Sequence, residues 1–275
     1  MLTTRFAPSP TGRLHLGHAY AAWFAADLAA ANAGRFLVRL EDIDQQRCRP
    51  AIAAAIEEDL AWLGIPGDEP VRRQSDHYAD YATALARLTS IGLIYRCYLT
   101  RRRLNAIFAA PHGTPAAGEV VFNTDAALPA DERDRLAAAG APYALRLRCR
   151  AALARTGPLT WHDRVAGSQN VRAEMIGDVV LARKDSPTSY HLAVTVDDAA
   201  QGVTLVTRGR DLFAASHVHR LLQALLDLPV PEYHHHRLIT DSAGRRFAKR
   251  DQAVTLGALR AEGHSPHDLR EMVGL

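Results

Sequence analysis

Two histidines and a glycine, His15, Gly17 and His18, fall within four residues in the run RFAPSPTGRLHLGHAY (5–20). A helix that starts at His-Leu-Gly-His turns its first unpaired N–H groups outward, and such an end binds anions. The imidazoles add donors there. Gly17, without a side chain, lets a flat group such as adenine lie against the backbone. The arrangement suits nucleotide phosphates held while charge builds on the α-phosphate. An HxxH alone is more often a surface pair, so the wider run must carry the argument. Lysine occurs only at Lys184 and Lys249 among 33 basic residues. Genome composition accounts for the arginine excess, yet a retained lysine marks a site wanting a compact, mobile ammonium. Lys249 lies in the polar run RRFAKR (245–250). The adjacent Asp197 and Asp198 raise the question of a metal site or an acid/base dyad.

The elements that must position these residues read as an α/β pattern. A short apolar strand at 2–6 leads through a loop at 7–14 into an Ala-rich helix over 15–32, stopped by Gly34. A second strand at 36–40 and a turn at 41–49 precede a helix from Pro50 to Gly64, with Pro first and Gly last as expected. Another helix is expected over 75–91. The stretch 97–155 differs: an Arg-rich helix at 101–108, a Gly/Pro/Ala loop at 111–118 and a strand at 143–149. It reads as an insertion between two halves of a nucleotide-binding fold. Strand-like runs return at 178–182 and 203–207, followed by a helix at 216–226. A strand-like 236–240 leads to a polar loop at 241–251 and two short helices. The last of these is capped by Ser265 with Pro266 at its first position. The expected units are 1–96, 97–155, 156–240 and 241–275.

Bulk properties agree. The chain has 275 residues, 48% hydrophobic and 23% charged, enough for one sizeable core with a small insertion. No apolar run reaches the ~20 residues needed to span a membrane. The N-terminus has no secretory apolar region, and three scattered cysteines make no disulfide framework. A cytoplasmic monomer is expected. A net charge of +3 permits an RNA partner without requiring one.

The sixteen residues 5–20 resemble the first signature of the class I glutamyl-type aminoacyl-tRNA synthetases, xFAPSPTGxLHxGH. The resemblance continues through FLVRLEDID (36–44), SYHLAVTVDDAAQGVTLVTRGRDL (189–212) and, weakly, RRFAKR in place of the family's lysine loop. It covers about residues 1–260 and implies a Rossmann-like catalytic domain that joins an amino acid to the α-phosphate of ATP, Mg²⁺ accompanying the ATP. By this resemblance His15, Gly17, His18 and Lys249 contact ATP. His15, His18 and Lys249 stabilise the transition state. Arg5, Arg208 and the Tyr190 hydroxyl receive the glutamate side chain. Glu41, Ser9 and the Ala7 backbone receive its amino group. Asp197 and Asp198 become pocket-shaping residues of a helix or loop, and Asp42 and Asp44 organise the turn.

Two departures from the family matter. Its short members often hold zinc in the insertion, but here Cys97 is followed by Leu99 where a second cysteine is needed, and 111–123 offers only His112. No structural zinc is expected. His234–His236 reads as a strand edge whose side chains alternate, not as a ligand set. The second departure is length: 275 residues leave no room for the family's anticodon-binding domain. That implies a shortened member which activates L-glutamate without tRNA and transfers it to queuosine in the anticodon loop of tRNA(Asp). Two alternatives stay open: a glutamate ligase serving another acceptor, and a non-catalytic RNA-binding relative. Arg96 and Arg101–Arg103 are candidate phosphate contacts.

Overall fold

The computed structural model describes residues 1–99, 128–172, 176–239 and 254–275. Lys249 with its loop, Arg101–Arg103 and His112 lie outside the described residues. β1 (Thr3–Phe6) is buried along its length, as a parallel strand covered on both faces should be. It feeds α1 (Leu16–Ala31), which turns five alanines and Trp23 to the core. The Trp23 indole N–H donates to the Leu63 carbonyl at 3.3 Å. A Cβ at Gly34 would collide with the Leu2 carbonyl oxygen, so glycine is what lets β2 (Arg35–Leu40) start against β1. α2 (Pro50–Trp62) begins at its proline. β3 (Arg72–Arg73) follows. A short 3₁₀ turn, Gln74–His77, precedes α3 (Tyr78–Ser90) and takes the first residues of the expected helix.

Next come β4 (Ile94–Cys97), α4 (Ala130–Ala138), β5 (Ala144–Leu147), α5 (Cys149–Thr156), β6 (Thr160–Asp163), β7 (Gly167–Asn170) and β8 (Val180–Ala182). The chain then forms α6 (Tyr190–Ala200), β9 (Leu205–Gly209), α7 (Ala215–Leu226), β10 (Glu232–His236), α8 (Leu256–Ala261) and α9 (Pro266–Val273). Among the described residues no helix is long and apolar enough to cross a membrane.

One sheet runs β1–β2–β3, all parallel; another runs β7–β6–β10–β9, with β7 antiparallel. Thr3 exchanges bonds with Thr204, its N–H to the hydroxyl at 2.9 Å and its carbonyl from the N–H at 3.0 Å. The two sheets therefore meet edge to edge, and the order across them is 3-2-1-9-10-6-7. The chain order reverses between β1 and β9. In doubly wound sheets the crevice beyond the carboxyl ends of such strands takes the ligand.

Two sequence expectations need correction. The run at 178–182, read as returning to the nucleotide-binding half, forms β8 and pairs with β5 in a separate antiparallel sheet, β4–β5–β8. Asp178 ties it there, accepting from the Tyr95 hydroxyl at 2.8 Å and the Cys149 N–H at 2.9 Å. His234–His236 is not a strand edge: β10 is bonded on both sides, to β9 and β6. His235 is tolerated in the interior because both ring nitrogens have partners. Within 189–212, where Asp197 and Asp198 are expected on a helix or loop, the chain forms α6, capped by Ser189.

Candidate active site

The loop after β1 delivers His15 to the N-cap of α1, in extended backbone. The His15 N–H donates to His18 Nδ1 at 3.3 Å, and the two rings stack with centroids 3.8 Å apart. A neutral His18 then carries its proton on Nε2. Gly17 lies half-buried in the same turn. The residues bracketing the lysine loop are anchored nearby. Ile239 packs in the α1 core, Thr255 bridges to His15, and the Leu256 N–H reaches the Leu14 carbonyl at 2.9 Å.

On the other side of the β1/β9 reversal lies a buried charge network. Arg5, on β1, donates from Nε to Asp198 at 3.0 Å and from Nη1 to the Thr207 carbonyl at 2.9 Å. Arg39, fully buried on β2, reaches Asp198 at 2.9 Å, Glu41 at 3.6 Å and Asp197 at 3.8 Å. Asp197 also takes hydrogen bonds from Arg72, Gln74 and Tyr81. The acidic pair on α6 is thus consumed by arginines, and Arg39 is the member the motif reading passed over. An arginine inside the apolar run 36–40 was the available signal. Among the described residues no group of three His, Cys, Asp or Glu could hold a metal. Cys97 packs with Tyr95, Leu99 and Leu128.

Arg208, at the end of β9, is different. It is buried, yet among the described residues no carboxylate pairs with it. Its partners are neutral acceptors: His235 Nε2 at 3.1 Å, His219 Nδ1 at 3.2 Å, the Ser216 hydroxyl at 2.6 Å and the Tyr190 hydroxyl at 3.4 Å. A buried guanidinium held only by neutral groups is costly unless a ligand supplies the anion. Burial holds the His191 and His235 pKa values down to about 4 and that of His219 well below its ordinary value, with Arg208 reinforcing all three, so the imidazoles are uncharged. Burial likewise pushes the Tyr190 hydroxyl up.

A cleft of about 490 Å³ opens beside this cation, lined by Ser9, Glu41, Asp44, Tyr190 and His191 among others. Burial pushes the Glu41 carboxyl up to about 7 against the pull of Arg39 and Arg5. Of the residues named from sequence, Ser9, Glu41 and Tyr190 line this cleft and Arg208 touches it through Tyr190. Ala7 follows β1 directly, and Arg5 stands behind, engaged with Asp198. His191, His219, His235 and Asp163 were missed. The HHH run drew attention only as a question about metal.

A helix N-terminus carrying two histidines and a cleft beside a buried arginine, placed where the strand order reverses, suit the binding of an anionic small molecule next to a phosphate. The chain belongs to the class I tRNA synthetases of the glutamate and glutamine type, whose catalytic-domain model matches residues 1–275. Such proteins are ligases. Within the family the full-length likeness is to Glutamyl-Q tRNA(Asp) synthetases. The protein of that name from Rhodobacter capsulatus is 50% identical over 286 aligned residues, all of both chains. That from Symbiobacterium thermophilum is 41% identical over 97% of this chain and 83% of its own. Among solved structures, a glutamate tRNA ligase from Elizabethkingia meningosepticum in complex with its amino acid superposes with a TM-score of 0.81 at 27% identity. This chain spans all of itself and 60% of that one.

Proposed function

We propose that the chain activates L-glutamate with ATP as glutamyl-adenylate, without tRNA, and transfers the glutamyl group to queuosine in the anticodon loop of tRNA(Asp). The observation that carries the first half is Arg208: a buried cation with no carboxylate partner among the described residues, beside a cleft that Glu41 lines. L-Glutamate supplies what each end wants. Its side-chain carboxylate meets Arg208 and the Tyr190 hydroxyl. Its ammonium meets Glu41, Ser9 and the Ala7 carbonyl. The α-carboxylate then faces the helix end. One of its oxygens bonds to the α-phosphorus of ATP, the bond to the bridging oxygen breaks, and pyrophosphate leaves.

Catalysis of this kind is positioning and charge stabilisation. His15, His18 and the N–H groups of α1 would hold the phosphates, and Lys249 would reach them from its loop. Mg²⁺ would arrive coordinated by the phosphates themselves. The second half rests on the names of the full-length relatives. ATP–pyrophosphate exchange tests the activation step. Exchange that depends on glutamate in the complete absence of RNA, and that is lost in Arg208→Gln, is the expected result. Exchange that needs added tRNA contradicts it.

A further inference from the structure

The tautomers around Arg208 follow from one rule: an arginine only donates. His235 Nε2 accepts the Arg208 Nε–H, so the ring proton sits on Nδ1, where Asp163 Oδ2 takes it at 2.7 Å. Asp163 is fixed in turn. Its Oδ1 accepts the N–H groups of Val165 at 3.0 Å and Ala166 at 2.8 Å in the β6–β7 turn, and its Oδ2 also accepts the His235 N–H at 3.1 Å. Burial opposes ionisation, but these donors hold the Asp163 carboxyl below its usual range. On the opposite edge, His219 Nδ1 accepts from Arg208 Nη1, so its Nε2–H points to His191 Nδ1 at 3.2 Å. His191 keeps a proton on Nε2 and lines the cleft.

We propose that Asp163 and His235 are positioning residues for Arg208, fixing the plane of its guanidinium and thereby setting the preference for a side-chain carboxylate over an amide. The proposal deepens the reading of Arg208 as the receptor for the glutamate side chain and rests on it. The physical point is the neutral ring between the two charges. A carboxylate placed directly on Arg208 would orient the guanidinium but cancel it, as Asp198 does for Arg5. Through His235, Asp163 orients Arg208 and leaves its charge for the ligand.

Three variants separate the possibilities. Asp163→Asn lets the new amide donate to Nδ1, which turns the ring to the tautomer whose Nε2–H opposes the Arg208 Nε–H. His235→Phe keeps a ring without an acceptor. His235→Gln restores an acceptor carbonyl. With circular dichroism and melting confirming the fold, ATP–pyrophosphate exchange is measured with glutamate and with glutamine. The expected result is a glutamate KM about 10- to 100-fold higher in Asp163→Asn and His235→Phe, the size of a lost hydrogen bond to a buried charge. The ATP KM stays unchanged, the glutamate-to-glutamine ratio of kcat/KM narrows, and His235→Gln recovers most of the loss. Folded variants with a wild-type glutamate KM and ratio overturn the proposal, as does an equal rise in the ATP KM. If Asp163→Asn does not fold, the two His235 variants decide the matter alone. Wild-type protein that shows no glutamate-dependent exchange instead removes the reading of Arg208, and this proposal falls with it.

Discussion

Glu41 and Arg208 illustrate how the same burial gives opposite results at single residues. Arg208 is buried among neutral partners, a setting that favours an anionic ligand. Glu41 can take up a proton, and burial pushes its pKa from 4.5 to about 7. The folded protein therefore binds a proton there that the unfolded chain has lost. Across that window the stability of the empty protein falls as pH rises, and a bound ammonium reverses the effect. The glutamate KM should accordingly climb as pH drops below about 7, while kcat at saturating glutamate changes less. Exchange kinetics from about pH 6 to 8 would show it, and a flat KM would contradict the role of Glu41. Glu41→Gln should raise KM and remove the pH dependence. Arg208, Tyr190, Glu41 and Ser9 were legible because they sit inside motif runs. Asp163 and His235 were not, since the two are 72 positions apart and only the sheet brings them together.

At the scale of elements, α6 joins the halves of the site. It carries Asp197 and Asp198, which neutralise arginines from β1, β2 and β3. Removing one partner of such a buried network strands the others. Asp198→Asn should cost about 3–5 kcal/mol, read as a lower urea midpoint at unchanged slope. A midpoint equal to wild type would show that Arg5 and Arg39 do not depend on it. The sequence pattern caught α1, α2, α3 and α7, whose punctuation by Pro and Gly or apolar spacing is local. It left α6 open between helix and loop because Thr195 and Val196 favour strands, while the helix owes its form to the Ser189 cap and to packing against α3 and α7. It misplaced β8 because strand pairing is settled by partners far along the chain.

At the scale of the whole molecule, the matter is which acceptor would reach the proposed adenylate. The chain spans 60% of the Elizabethkingia ligase chain it superposes on, and the sheet β4–β5–β8 is separate from the two that carry the site. Arg96, exposed there, stacks over the Tyr143 ring at 4.7 Å. An arginine beside an aromatic ring suits phosphate and base contacts in a nucleic-acid loop. Arg96→Glu should therefore weaken transfer to RNA while leaving RNA-free exchange intact, and equal loss of both would place Arg96 in the fold rather than at the RNA. The most direct test of the proposed activity uses labelled glutamate, ATP and tRNA(Asp) from cells that make queuosine and from cells that cannot. Label confined to the anticodon loop of the queuosine-bearing tRNA is the predicted result. Label at the 3′ end, or equal label in both preparations, would contradict it.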